Sequence, residues 1–157
     1  MSDHLPPNHP AVLPQKIGVL LLNLGTPDAT DYWSVRRYLK EFLSDRRVIE
    51  TPRWLWWPLL NLVILSVRPQ KSGHAYASIW DKEHNASPLL VITRKQTAAL
   101  AERMAGHDNV MVDFAMRYGN PSTKSVLEKM VAAGCTKILL VPLYPQNSAT
   151  TTATAND

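Results

Sequence analysis

Three short segments gather the side chains best suited to hold a ligand: Asn23-Leu24-Gly25-Thr26-Pro27, Arg117-Tyr118-Gly119-Asn120-Pro121, and Tyr144-Pro145-Gln146-Asn147-Ser148, which runs on through Ala149 into Thr150-Thr151-Thr152. They contribute a guanidinium, phenols and a run of hydroxyls. None contains Gly-x-Gly-x-x-Gly or a Walker-type loop, so a nucleotide phosphate has no glycine cradle and dinucleotide binding is disfavoured. Ser148 and the threonines after it fall where a helix should begin, and the free backbone N–H groups of a helix start favour a bound anion. The structural alternative there is an ordinary cap followed by small residues that let the helix approach a sheet. In the other two turns Gly and Pro can serve the backbone alone, and a buried Tyr or Arg can simply close the domain. Among the five histidines, His74 and His84 invite a metal, with Asp81 and Glu83 near by. Their spacing matches no compact ligand motif and residues 81–84 read as a solvated polar loop, so no metal site is assigned.

Each turn follows a stretch that must hold it in place. Residues 17–24 are almost continuously apolar, as suits a strand buried on both faces of a parallel sheet, and residues 23–27 then turn the chain. Tyr32, Val35, Tyr38, Leu39 and Phe42 recur at helical spacing among Arg36, Arg37, Lys40 and Glu41, which predicts an amphipathic helix over 31–44 with Asp31 as a cap. The arrangement returns later as a strand over 110–116, a helix over 122–132 ended by Gly134, a short apolar strand over 137–143, and a helix starting near Ser148. Leu89, Leu90, Ile92, Leu100 and Met104 carry one more helix over 88–104. Strands alternating with helices of this length predict an α/β fold with a doubly wound parallel sheet. In such sheets ligands bind outside the carboxyl ends of the strands, where the three turns lie.

At 157 residues and 45% hydrophobic content the chain has the composition of a soluble globular domain with one sizeable core. The 17 Lys and Arg against 13 Asp and Glu leave +4, spread with no basic run longer than Arg46-Arg47, so no nucleic-acid partner is implied. The one cysteine, Cys135, cannot close an internal disulfide and reads as a small buried thiol in a reducing compartment. Residues 1–15, rich in proline and without an apolar h-region, read as a disordered lead-in rather than a signal peptide, and residues 16–157 as the domain. The sequence stops at Asp157 inside a run of small residues with no helix stop signal, which reads as a truncation of the domain.

Residues 54–67 stand apart: apolar nearly all round, bracketed by Arg53 and Arg68, and interrupted by Pro58 and Asn61. They fall short of the roughly 20 residues needed to span a bilayer. A helix apolar on every side is buried in protein or in lipid, and tryptophans next to arginines suit a headgroup boundary.

Taken together and in order, the three turns resemble the ferrochelatase family, whose N-terminal half has a strand ending in Asn-hydrophobic-Gly-x-Pro, a later strand ending in Arg-Tyr, and a Tyr-Pro-Gln-x-Ser turn leading into a Thr-rich helix. The resemblance runs from about Lys16 to Asp157. It implies the N-terminal half of an enzyme of haem biosynthesis that inserts ferrous iron, a substrate, into protoporphyrin IX or coproporphyrin III. It also implies a Rossmann-like, chelatase-type domain that is the first of two similar ones, and no cofactor is firmly implied. A flat macrocycle with anionic propionates needs apolar walls, cationic or hydroxyl partners for its carboxylates, and a base for the two pyrrole protons. The resemblance puts Leu24 on the wall, Arg68, Tyr76 and Ser87 near the porphyrin edge, and Arg117 and Tyr118 on the macrocycle face opposite the family's catalytic histidine. A propionate or another anion would sit at Ser148. Trp54, Trp56, Trp57, Leu59, Leu62 and Ile64 become a hydrophobic lip over the cleft. In many members that lip touches the membrane, which implies a cytoplasmic protein with peripheral contact on the inner membrane. The family usually has Tyr where this chain has Asn147.

The family assigns proton acceptance to a histidine in a Ser-Ala-His motif and to a glutamate farther on. Neither motif occurs in these residues, so no catalytic residue is assigned, and the missing C-terminal domain is the expected partner that carries them. Two other readings compete: a non-catalytic porphyrin-binding or membrane-surface module, and a cobalt or nickel chelatase acting on another tetrapyrrole. The Arg117-Tyr118 turn and the apolar lip favour a flat, hydrophobic porphyrin.

Overall fold

β1 (Lys16–Thr26) is the middle strand of a three-stranded parallel sheet, between β2 (Val110–Gly119) and β3 (Cys135–Pro142). This computed structural model describes residues 15–144, so Ser148, the helix expected to start near it and residues 1–14 of the lead-in lie outside the described residues. Leu20, Leu21 and Leu22 are all buried because helices cover both faces of the sheet. Leu20 and Leu22 pack with Val126 and Met130 of α5 (Thr123–Ala132). Asn23, on the other face by strand alternation, donates from Nδ2 to Thr93 Oγ1 of α4 (Pro88–Arg103) at 3.0 Å. The fold is α/β, as expected.

A side-chain cap starts three of the described helices. Asp31 Oδ1 accepts from the backbone N–H of Trp33 and Ser34 at the head of α1 (Tyr32–Ser44), and Ser87 and Ser122 accept in the same way at the heads of α4 and α5. The strands outrun their expected limits: β3 begins at Cys135, β2 continues through Arg117 and Tyr118 to Gly119, and residues 23–26, expected as a turn, stay in β1. The reason is the ladder, which still pairs Asn23 with Met116 and Gly25 with Tyr118.

Gly25 makes that last pairing possible. Its φ is +114°, and a Cβ there would lie 1.8 Å from the Tyr118 carbonyl oxygen. A side chain at this position meets both backbone strain and a backbone clash. Gly25→Ala is therefore expected to cost about 3 kcal/mol or more, read as a lowered midpoint in denaturant at unchanged slope. A midpoint within error of the parent would contradict this account of the strand end.

The apolar segment over 54–67 departs most from expectation. It belongs to a longer helical rod made of α2 (Arg53–Pro58), a π-helical segment (Leu59–Ile64) and α3 (Leu65–Ile79), so Arg68 and His74 lie within a helix instead of beyond its end. Nor is it equally apolar on every side in use, because Trp56, Leu60, Ile64 and Leu65 turn inward against α1. Leu60 and Leu65, both fully buried, are five residues apart and would diverge by about 140° on a regular helix of 3.6 residues per turn. The wider π turn brings them to one face, with the Leu65 N–H bonded to the Leu60 carbonyl. Asn61 Nδ2 donates to the Trp57 carbonyl and Ser66 Oγ to that of Leu62, meeting acceptors in this irregular stretch. Gly73, farther along the buried stripe, lets α3 close on the turn before α1; a Cβ there would stand 2.5 Å from the Thr30 carbonyl oxygen.

Candidate functional site

At the carboxyl end of β2, side chains meet the end of α1. Asp45 follows the last turn of α1, and its Oδ2 accepts from Arg117 Nη2 at 3.0 Å and from the Tyr118 hydroxyl at 2.8 Å. The guanidinium also lies over the Tyr118 ring, 5.0 Å from its centroid. One turn back on α1, Glu41 Oε2 accepts from the Gly119 N–H at 2.9 Å. Residues 117, 118 and 119 are thus each tied to one helix end. Arg117 Nε and the Tyr144 hydroxyl are buried and have no hydrogen-bond partner among the described residues. Burial pushes the Tyr144 phenol above the ordinary tyrosine range, and the nearby Arg117 charge opposes that.

An aromatic chain lines the same region. Tyr118 meets Phe42 edge-on at 5.1 Å, Phe42 stacks on Tyr38 at 6.1 Å, and Tyr38 meets Tyr76 of α3 edge-on at 6.4 Å. Leu24 is half-buried against this cluster. Burial, helped by the neighbouring Tyr76 phenol, holds Tyr38 far above the usual range, and burial raises Tyr76 as well. Both phenols therefore stay neutral at ordinary pH. Tyr38 uses its proton on the Gly25 carbonyl at 3.3 Å.

Of the residues singled out in the sequence, Leu24, Tyr76, Arg117 and Tyr118 come together around α1. Arg68 lies exposed on α3, one turn from Ser72 and two from Tyr76; Ser72, Ala75, Tyr76 and Ile79 line a shallow depression of ≈ 240 Å³. Ser87 is buried and its Oγ accepts from the Leu90 N–H at 3.2 Å, so its hydroxyl is engaged in starting α4. The lip residues divide. Trp54 (78% exposed), Trp57, Leu59 and Leu62 (74% exposed) face outward with Leu55, Val63 and Val67. Trp56 and Ile64 do not: both pack against the α1 core, and Trp56 Nε1 donates to the Leu43 carbonyl at 2.8 Å. His84 Nδ1 stands 3.1 Å from Asp81 Oδ1 in a turn, and the described residues hold no group of three or more His, Cys, Asp or Glu side chains set to bind a metal.

Sequence reasoning missed Asp45, which it passed over beside the Arg46-Arg47 pair, and gave Tyr38 and Phe42 only a packing role. It quoted Tyr144 in its turn without assigning it a task.

A family model described as Ferrochelatase matches residues 16–157. The chain belongs to the ferrochelatase family. It is 60% identical over 157 residues to the ferrochelatase of Rhodobacter capsulatus, covering 98% of this chain and 45% of that protein. Against the ferrochelatases of Rhizobium etli (strain CIAT 652) and Chelativorans sp. (strain BNC1), identity is 59% and 58%, over 97% of this chain and 44% and 43% of theirs. The chain thus spans about half the length of these curated relatives and corresponds to their N-terminal part. It is half of a ferrochelatase, and Arg117, Tyr118 and the rod over 53–79 are features of that half. Among its described residues no helix is long and apolar enough to cross a membrane.

Proposed function

We propose that this half builds one wall of a porphyrin cleft in an enzyme that inserts ferrous iron into protoporphyrin IX or coproporphyrin III. The observation that carries the reading is the Arg117-Tyr118 pair at the carboxyl end of β2, braced by Asp45 and backed by Leu24 and the Phe42, Tyr38 and Tyr76 rings. A parallel sheet presents ligand contacts at that end of its strands. Arg117 supplies a guanidinium on a side chain that is 27% exposed, suited to a propionate carboxylate or a polarised group on the macrocycle. Leu24, Phe42 and Tyr76, each only partly buried, supply apolar surface for a flat substrate, while Tyr38 and Tyr118, at 7% and 1% exposure, back it from within the core. Arg68 and Tyr76, on one stripe of α3, are read as edge contacts; Ser87, 2% exposed with its Oγ engaged at the head of α4, is read as structural instead, and Ser148 keeps the anion role that a helix start would give it.

The outward row Trp54, Leu55, Trp57, Leu59, Leu62 and Val63 is read as the lip of the cleft and as a peripheral contact with a cytoplasmic membrane surface. The base that accepts the pyrrole protons is assigned to the part of the enzyme beyond these residues, which is read as a second, similar domain.

The test is steady-state kinetics beside thermal melts in an intact enzyme carrying this half. Arg117→Ala is expected to lower kcat/KM about 10- to 100-fold, the range for losing one charge-assisted contact, with a smaller loss of stability because the Arg47 N–H and the Tyr118 hydroxyl still satisfy Asp45. Unchanged constants, or lost activity matched by lost stability, would return Arg117 to a purely structural role.

A further inference from the structure

We propose that Asp45 is a positioning residue for the porphyrin-handling pair, acting on substrate through Arg117. The inference rests on the reading of Arg117 given above. One carboxylate oxygen, Oδ2, takes hydrogen bonds from both Arg117 Nη2 and the Tyr118 hydroxyl, while Oδ1 accepts from the Arg47 N–H at 2.8 Å. The carboxylate is therefore held from its own backbone side and cannot swing away with the guanidinium. Its side chain is 13% exposed and that of Arg117 27%, so water competes little for either group. A partly desolvated pair of this kind holds geometry well, because removing one partner strands the other charge.

The arrangement has a directional consequence. Arg117 and Tyr118 are adjacent in β2, so their side chains leave on opposite faces of the sheet. Asp45, at the strand end, is the acceptor that both can reach. It fixes the guanidinium across the Tyr118 ring, with Nη2 held on the carboxylate. With its proton given to Asp45, the Tyr118 phenol is fixed as well. Without the carboxylate, the rotatable Arg117 side chain has no anchor at Nη2, and ordering it would have to come from substrate binding energy.

The experiment is a double-mutant cycle in the intact enzyme carrying this half, with KM for porphyrin, kcat and a thermal melt measured for Asp45→Asn, Arg117→Ala and the pair. Asp45→Asn keeps the shape and a weaker acceptor. It is expected to raise KM about tenfold with kcat within about threefold of the parent. In the Arg117→Ala background the same change should move KM by less than about twofold, because the two residues act as one unit. Equal factors in both backgrounds, or an unchanged KM for Asp45→Asn beside a raised one for Arg117→Ala, would overturn the positioning role and leave the porphyrin reading standing. An unchanged KM for Arg117→Ala with a lowered kcat would overturn the positioning role alone, and both constants unchanged would overturn both. Should Asp45→Asn not fold, Asp45→Glu replaces it: its charge keeps the pair while its extra methylene displaces the guanidinium, and a parental KM there would equally overturn the proposal.

Discussion

Replacing Leu59, Leu62 and Val63 together by Ser is expected to abolish most binding of the 157-residue chain to liposomes while leaving its fold intact. All three face outward, Leu62 at 74% exposure, so the substitutions remove apolar surface without opening the core. At about 1 kcal/mol or more lost per side chain, the summed loss is about 3 kcal/mol, or a fall in partition of about 100-fold. Ile64→Ser is the informative contrast. Ile64 packs against the α1 core, so its replacement should lower the melting temperature instead. Flotation of the triple variant equal to that of the parent would exclude this row as the membrane contact. It would leave porphyrin, or the rest of the enzyme, as what covers the row.

The same 157 residues, assayed alone, are expected to form no metalloporphyrin from ferrous iron, or from zinc as a surrogate, above a no-protein control under anaerobic conditions. A wall and carboxylate partners bind a substrate, but rate comes from groups that stabilise the transition state more than the ground state. Insertion needs a placed acceptor for pyrrole protons, and such groups contribute about 100- to 10,000-fold. His74 is exposed on α3, and His84 is engaged with Asp81 in a turn; neither belongs to the cluster around Arg117 and Tyr118. Turnover abolished by His74→Ala or His84→Ala would mean that the base lies in this half after all.

Where one period runs unbroken, the sequence was easy to read. Tyr32, Val35, Tyr38, Leu39 and Phe42 keep a helical repeat behind Asp31, and the Leu20 to Leu22 run can be satisfied only by a strand covered on both faces. The rod over 53–79 defeated the same method for a physical reason. Its buried stripe steps by four at Trp56 to Leu60 and again at Leu65, Pro69 and Gly73, but by five between Leu60 and Leu65, where the π turn lies. No fixed period follows such a stripe, and an apolar residue at nearly every position hides which ones turn inward. The candidate positions at the carboxyl ends of β1 and β2 were legible where backbone and motif coincide, at Gly25 and at Arg117-Tyr118. Asp45 was not, because its role depends on β2 arriving beside it from a distant part of the chain, and nothing within its own helix signals that.

The measurement that bears most directly on the central claim is metalloporphyrin formation by residues 1–157 joined to the remaining part of the Rhodobacter capsulatus ferrochelatase, of which this chain covers 45%. If the chain is the porphyrin-binding half of such an enzyme, the joined protein turns over ferrous iron and porphyrin well above the no-protein control, and Arg117→Ala within it loses most of that activity. A joined protein that folds, as judged by a cooperative melt, yet shows no turnover would contradict the account.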